Sequence, residues 1–579
     1  MAKKRAAVII AVGAIAALVA GGVTAYWFLV QRRLETSDLP VGGTVVPPDA
    51  LMTLSFSTDE RQWEQLRRFG TEETQAALNQ ALAEWRDRLL TDNGLNYQTD
   101  VAPWVGDTVT VALLTPNQLE AVPPVAPEPS EPSEAPEAPE APGAIPADPG
   151  LIDPTAEQPA VILLPIDDPL KARSLLTDDS RAGGEATEET YQGQTIYTFQ
   201  GQAGKTLAAT VLDRLLVLST EQDALQQVID THQADTSMAD TAGYRQAFQE
   251  VATPQPFLQI YINSDTAASL AAANSIQGAP PQALAPLQEG TQGIAATVAL
   301  DNTGVKIQGV TWLKDESDRT FNRVQVERLP ALLPADTVMM VAGGNLQQFW
   351  QEVESRTTDQ TNGLLSPQNL QSAVQAITGL NIDEDLMPWM TDEFALALVS
   401  APDAGGADTM TGVLALVETS DRPAADQAFA KLDGVLRDRY AFQGDRIDQA
   451  GIAVTQWSSS FATLTLSQGW LSDRTAFLAV GDIVDTLASS PEENLAATDL
   501  FQQATTSEVG SPGGYFFVNL ERLIQLDSTL PVPNLPQNQA AVARAIRAIG
   551  ITTSVPNQRT TRFDISVLLE SLDNPGTIP

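Results

Sequence analysis

The sequence predicts an α+β protein: an N-terminal transmembrane helix followed by two tandem homologous modules of mixed α/β structure with mainly antiparallel sheets. Three observations lead to this prediction. The chain opens with a long uncharged segment, most of the remaining sequence occurs twice in related form, and each copy combines short apolar strands with amphipathic helices. A chain of 579 residues is also too long for one hydrophobic core.

The N-terminal segment has the properties of a membrane-spanning helix. Residues 6–30 carry no charge, and a helix of that length measures about 37 Å, against a hydrocarbon core of about 30 Å. Basic residues occupy positions 3–5, which predicts a cytoplasmic N-terminus and a single-pass protein whose bulk lies in the periplasm or the thylakoid lumen. A signal peptide cleaved after Ala25 is the alternative.

Nearly all of the sequence after this segment is duplicated. "VVPPDALMTLSFSTDERQWEQL" corresponds to "LLPADTVMMVAGGNLQQFWQEV", and "GIAATVALDNTGVKIQGVTWL" corresponds to "GITTSVPNQRTTRFDISVLLE". The long period indicates two copies of a whole domain. The predicted organisation is a cytoplasmic stub (1–5), the transmembrane helix (6–30), a stalk (31–44), the first module (45–316), a connector (317–328), the second module (329–571) and a tail (572–579).

Local patterns predict the elements of each module. Apolar residues at positions 78, 82, 85 and 89 follow helical spacing, and Ser366 and Pro367 are expected to open the corresponding helix of the second copy. The runs "TVTVALL", "AVILLPI", "QTIYTF" and "LLVLS" indicate strands, and their adjacent pairs favour antiparallel pairing. Residues 116–159, rich in Pro and Glu, are predicted to be a disordered insertion.

One motif recurs without insertions. "GLNYQTDVAPWVGD" begins at Gly94 and "GLNIDEDLMPWMTD" begins at Gly379. Each Gly is expected to end a helix in the left-handed conformation. Asp100 and Asp385 are predicted to cap a short turn whose first residues include Pro103 or Pro388. This interpretation accounts for each recurring residue type except the Asn.

The recurring Trp and the final Asp of the motif have two interpretations. Trp104 and Trp389 are expected to anchor the turn in the core. Alternatively they stack on sugar rings or peptide, with Asp107 and Asp392 beside them. An anchoring Trp must be buried and a stacking Trp must be exposed.

The composition and the incompleteness of known motifs argue against several functions. With 33 basic and 73 acidic residues, the net charge of −40 disfavours nucleic acid as a partner. There is no cysteine and a single histidine, His232, expected to be an exposed helix-end residue, so no cofactor or metal is predicted. "GQAGKT" lacks the first Gly of a phosphate loop. The acidic run 383–385 is interpreted as solvated surface charge rather than a calcium loop.

The stretch "GLNYQTDVAPWVGDTVTVALL", with "AVILLPIDDPLKARSLL" and "LDRLLVLSTEQDALQQVID", resembles the family catalogued as domain of unknown function 3352. Members are cyanobacterial proteins that often begin with a membrane segment. The resemblance implies an envelope or photosynthetic membrane and transfers no activity. The family pattern continues Gly-Asp-Glu after Pro-Trp, whereas the copies here read 106–108 "GDT" and 391–393 "TDE".

Together these features predict a non-enzymatic, membrane-tethered binding or scaffold protein with a protein partner outside the cytoplasm. A cell-envelope hydrolase using carboxylates in a groove between the modules is the first alternative. The second is an assembly factor or inhibitor, which would expose an apolar patch.

Overall fold

A computed structural model describes most of the chain after the N-terminal segment. The described residues are 39–89, 96–116, 159–177, 187–200, 206–274, 290–356, 367–402, 409–449, 451–459, 462–488, 494–507, 511–526 and 542–572. Within them, no helix has both the length and the apolar character needed to cross a bilayer. The predicted transmembrane helix, nearly all of the insertion 116–159, Gly94 and Ser366 lie outside the described residues.

Strands and helices are numbered in chain order. The strands are β1 Met52–Ser57, β2 Thr108–Leu113, β3 Ala160–Pro165, β4 Thr187–Tyr191, β5 Gln194–Gln200, β6 Thr206–Leu212, β7 Leu215–Ser219, β8 Leu258–Asn263, β9 Thr291–Leu300, β10 Gly304–Leu313, β11 Thr337–Gly343, β12 Phe394–Pro402, β13 Thr409–Glu418, β14 Gln443–Gln449, β15 Ile452–Ser459, β16 Ala462–Trp470, β17 Thr475–Val480, β18 Gly514–Asn519, β19 Ile546–Asn557 and β20 Thr560–Leu569.

The α-helices are α1 Glu60–Leu66, α2 Glu72–Leu89, α3 Pro169–Thr177, α4 Gln222–Ala234, α5 Tyr244–Glu250, α6 Ser264–Asn274, α7 Leu346–Arg356, α8 Pro367–Thr378, α9 Arg422–Tyr440, α10 Asp499–Ala504 and α11 Leu520–Gln525. Two π-helical turns, Tyr97–Val101 and Ile382–Leu386, precede β2 and β12. Short 3-10 helices are Met238–Asp240, Leu329–Leu332, Val484–Ala488 and Leu495–Ala497.

All the strands belong to one antiparallel sheet. Its order is β4-β5-β6-β7-β3-β2-β1-β8-β9-β10-β20-β19-β18-β11-β12-β13-β17-β16-β15-β14. The prediction of a mixed α/β protein with mainly antiparallel pairing is confirmed. Each predicted strand run forms a strand, namely β2, β3, β5 and β7, and Pro367 opens α8.

The pairing pattern of β1–β10 is the same as that of β11–β20. Adding ten to both strand numbers in any pair of the first set gives a pair of the second set, for example β1–β8 and β11–β18. The two sets meet where β10 pairs with β20 from Gly304↔Leu568 to Trp312↔Thr560. The register places Ile307 opposite Ile565 in the middle of this pairing, and both side chains are buried.

Helices cover parts of both faces of the sheet. On one face, Tyr244 and Phe248 of α5 pack with Tyr261 of β8. On the opposite face, Trp104 packs with Leu164 of β3 and Leu218 of β7. Because side chains alternate between the faces of a strand, these two clusters bury different residues of the same strands.

His232 occupies the last turn of α4, as predicted. Its side chain is half-buried rather than exposed, and its Nε2 lies 3.7 Å from Asp213. The expectation of an exposed histidine is therefore wrong, because α4 packs on β6 and β7 and brings His232 against the turn that joins them.

Candidate functional site

The repeated motif begins where a helix ends. Gly379 follows α8 with φ +68°, the left-handed conformation predicted for it. A Cβ at this position would lie 2.7 Å from Cγ2 of Val435, so the site also needs the small residue. Leu380 is buried with Leu432 and Trp457. The end of α8 is thereby fixed against α9, and Gly94, its counterpart, lies outside the described residues.

The Asn of each motif is the N-cap of a π-helical turn. Asn381 Oδ1 accepts the backbone N–H groups of Asp383 and Glu384 at 2.8 and 3.1 Å. In the other copy, Asn96 Oδ1 accepts the N–H groups two and three residues later at 3.0 and 3.2 Å. A short side chain with an acceptor oxygen satisfies the unpaired donors at a helix start. The one recurring residue that lacked an explanation in the sequence is therefore the cap.

Asp100 and Asp385 form hydrogen bonds that run back to the start of the turn. Each carboxylate accepts the backbone N–H of the capping Asn, Asn96 or Asn381, and both distances are 2.8 Å. The prediction for these aspartates concerned the turn after them, which includes Pro103 and Pro388; the hydrogen bonds seen here join them to the Asn four residues earlier. They lie inside the turn and close a reciprocal arrangement four residues long, which resembles a capping box widened by one residue.

The recurring tryptophans are buried. Trp104 is 2% exposed and Trp389 is 3% exposed. Each indole Nε1 donates to the backbone carbonyl of the Asp four residues earlier, at 2.5 Å for Asp100 and 2.9 Å for Asp385. A ring in this position offers no open face for stacking on a sugar or peptide. Burial is the property that an anchoring Trp requires.

The final Asp of the motif differs between the copies. Asp392 forms an ion pair with Arg474 at 3.0 Å, whereas Asp107 is exposed. Neither lies beside an exposed indole, since Trp104 and Trp389 are both buried. Four of the six candidate residues, Asp100, Trp104, Asp385 and Trp389, therefore form two matching structural turns. The structure does not bring the two copies of the motif together.

Glu393 has a role that the sequence did not indicate. Its carboxylate accepts the backbone N–H groups of Glu327, Arg328 and Leu329 at 3.0 to 3.2 Å. These residues end the predicted connector and begin the 3-10 helix Leu329–Leu332. Arg328 in turn donates to the buried carboxylate of Glu418. Glu393 thus stabilises the start of the second strand set by accepting hydrogen bonds from its backbone.

In the second copy of the motif, one cation pairs with the aspartate of the turn. Lys431 of α9 lies 2.5 Å from Asp385 Oδ2. Burial of Asp385 by itself raises the pKa of the carboxyl, but hydrogen bonds from Lys431 and from the Asn381 N–H outweigh it, so the pKa lies below its usual value. Asp385 is therefore an ionised structural group at neutral pH.

Asp383, in the same acidic run as Asp385, also has structural hydrogen-bond partners. Asp383 accepts hydrogen bonds from Trp350 Nε1, at 3.2 Å, and from Gln371. Across the described part of the chain, no three His, Asp or Glu side chains are placed to hold a metal ion. The Asp383 carboxylate thus links α7 and α8 to the turn that comes after α8.

Comparisons with known proteins complete this description. No curated protein matches the chain. Among solved structures, crystal form I of TP0453 matches with 9% identity and a TM-score of 0.25, covering 49% of this chain and 82% of that one. Crystal form IV of TP0453 matches with 10% identity and a TM-score of 0.23, covering 48% of this chain and 81% of that one. A likeness this small supports no statement about fold or function. The family model for "Protein of unknown function (DUF3352)" matches residues 10–569, and the chain belongs to that family.

Proposed function

We propose that this protein is a non-enzymatic scaffold, tethered to a membrane by its N-terminal helix, that binds protein partners outside the cytoplasm. The tether would be residues 6–30, followed by a short stalk. The described fold starts at Leu39, so eight residues, 31–38, join it to the end of the helix, and a chain of that length reaches at most roughly 29 Å. The fold would therefore lie close to the bilayer.

The observation that carries the proposal is the single continuous sheet. Because β10 and β20 pair over nine residues, the two strand sets cannot open and close around a substrate like two hinged domains. They form an extended platform whose faces are available for binding. An acidic surface, with net charge −40, keeps such a platform soluble.

The matching pairings of β1–β10 and β11–β20 support a further part of the proposal. We take the two sets as tandem copies of one module, residues 45–316 and 329–571. Equal strand order, matching turns with Asn96 and Asn381 as caps, and buried Trp104 and Trp389 all support common descent. The family resemblance supports a cyanobacterial origin.

Membrane fractionation tests the tether. The full chain should stay in the membrane pellet after extraction at alkaline pH, whereas a chain beginning at residue 39 should be found in the supernatant. Release of the full chain by the same treatment would refute the tether. In a matched variant of full length, Lys replaces one residue among 14–18. A charge at the centre of the segment costs about 3 kcal/mol of insertion free energy, so this chain should also appear in the supernatant.

A further inference from the structure

The repeat aligns β8 of the first strand set with β18 of the second. Met52 of β1 and Met339 of β11 occupy the same place in the ungapped repeat quoted above. Met52 is opposite Ile262 of β8, and Met339 is opposite Val518 of β18. The residue after each of these is an Asn whose side chain caps the following helix. Ile262 and Val518 are therefore matching positions of the two sets.

The same alignment continues into β9 and β19. Three residues before Ile262 and Val518 lie Gln259 and Tyr515. Gln259 is opposite Thr297 of β9, and Tyr515 is opposite Thr552 of β19. Thr297 and Thr552 are therefore also matching positions.

The alignment places a two-fold axis in the middle of the β10–β20 pairing. On the far side of the two threonines lie Gln308 of β10 and Asp564 of β20, which are thus matching positions. Gln308 is directly opposite Asp564. The pairing extends four residues along β10 on either side of Gln308, to Gly304 and Trp312. Each set therefore presents the same edge to the other, as the subunits of a two-fold dimer do.

One face of this junction is apolar and buried. Ile307 and Ile565 are opposite each other beside the axis, and each is 4% exposed. Phe563 is buried in the same cluster. The nine paired residues of each strand also satisfy backbone groups that an isolated edge strand would leave open. Both properties are those of a stable interface between subunits.

The other face of the junction carries a charge at the axis. Asp564 is 6% exposed and accepts a hydrogen bond from Ser507 Oγ at 2.5 Å. Side chains of directly opposed residues have Cβ atoms about 5 Å apart, and like charges in that position destabilise a strand pair. Two second sets paired with each other would oppose two Asp564 carboxylates. Two first sets would oppose two neutral Gln308 side chains, and the observed pairing opposes one of each.

We propose that the β10–β20 junction is a two-fold interface that binds a second copy of a strand set, and that Asp564 restricts the second set to binding a first set. The partner is the same module, in the same chain or in another chain. Apolar burial on one face supplies affinity, and the charge on the other face supplies selection among copies. The proposal rests on the tandem-copy part of the proposed function and names the surface through which the copies bind.

Cutting the connector tests the interface. A recognition sequence for a site-specific protease is placed between the exposed Glu316 and Ser317 of the full chain, which is cut after folding in detergent. We expect the two sets to remain together in gel filtration as a one-to-one complex. When this complex is mixed with one labelled with nitrogen-15, in urea below the unfolding transition, native mass spectrometry should find complexes of mixed mass. Sets that separate after cutting, or that never exchange, would overturn the proposal.

Two substitutions in the same cut chain test the selection. With Asp564→Asn, pairs of two second sets should form during the exchange, whereas the unsubstituted chain should give only pairs of a first with a second set. Gln308→Glu should raise the Kd between the two sets at least about ten-fold, because a second carboxylate then faces Asp564. Combining Gln308→Glu with Asp564→Asn is the matched control and should restore the Kd, since one carboxylate again faces one amide.

Each of three results would overturn the selection by Asp564. The first is that pairs of two second sets form in the unsubstituted chain, and the second is that they fail to form with Asp564→Asn. The third is that Gln308→Glu leaves the Kd unchanged or that the double variant does not restore it. Circular dichroism shows whether the variants fold. Membrane fractionation is independent of these measurements, so failure of the tether is recognised separately.

Discussion

Asn96 and Asn381 show how a single side chain type defines the repeated turn. In each copy the amide oxygen accepts two backbone N–H groups and the backbone N–H donates to an Asp four residues later. The Asn–Asp spacing was visible in the sequence. Its meaning was not, because a capping box places the acidic partner three residues after the cap and the extra residue appears only in a π-helical turn.

Removing the cap should cost stability. We expect Asn381→Ala to lower the free energy of unfolding by about 1 kcal/mol, since two backbone donors lose their side-chain acceptor. Urea unfolding followed by circular dichroism measures the change. Asn302→Ala, which alters an exposed Asn, is the control. Equal effects of the two substitutions would show that Asn381 does not stabilise the turn.

The ion pair of Asp385 predicts a pH dependence. The pKa of Asp385 in the folded protein lies below its ordinary value of 3.8. Its contribution is therefore present at pH values above 3.8 and is lost as the pH falls through the lower, folded pKa. Asp385→Asn should be less stable than the unsubstituted chain at pH 7, and the difference should shrink towards pH 2.5. Urea unfolding at both pH values measures it, with Asp107→Asn as an exposed control. A difference that stays constant with pH would contradict the assignment.

At the scale of elements, strands could be predicted from sequence but their partners could not. "TVTVALL" and "LLVLS" have the composition of strands wherever they pair, and β2 and β7 match them closely. The pairing of β10 with β20 joins residues more than 240 positions apart, and nothing in the alternation of either strand specifies the other. The exposure of Leu396 could not be predicted either, because "FALALVS" is apolar on both faces and such a run normally indicates a strand covered on both sides.

The β10–β20 pairing makes a prediction at Gly304. Its φ is +150°, and a Cβ there would lie 2.1 Å from the carbonyl oxygen of Val567. Gly304→Ala should therefore separate the first residues of the pairing as well as strain the backbone, lowering the unfolding free energy by about 1–3 kcal/mol. Gly193→Ala is the matched control, because Gly193 also has positive φ but has nothing within 4 Å of a Cβ.

Thermal unfolding of these two variants distinguishes the steric contact with β20 from backbone strain as the cause of the lost stability. The account predicts a clearly larger loss of stability for Gly304→Ala than for Gly193→Ala. Equal losses would mean that only backbone strain matters and that the start of β10 does not need its close approach to β20.

At the scale of the whole molecule, the described residues form a platform of two similar strand sets joined through their last hairpins. Fusion leaves β4 and β14 as the outer edges of the sheet, and both are exposed and carry charged side chains such as Glu188 and Asp445. Charged edge strands resist unwanted pairing between copies. The binding role we propose therefore falls to the faces of the sheet.

We propose above all that this platform is exported and held by an uncleaved helix. Because the chain has no cysteine, Ala2→Cys and Leu170→Cys each introduce a single thiol, the latter at a position 84% exposed. Each variant is expressed in a bacterium whose only export compartment is the periplasm, and intact spheroplasts are treated with a membrane-impermeant maleimide. We predict labelling of Leu170→Cys at once and of Ala2→Cys only after permeabilisation, on a chain of full length. Labelling of Leu170→Cys only after permeabilisation would show that the platform is not exported.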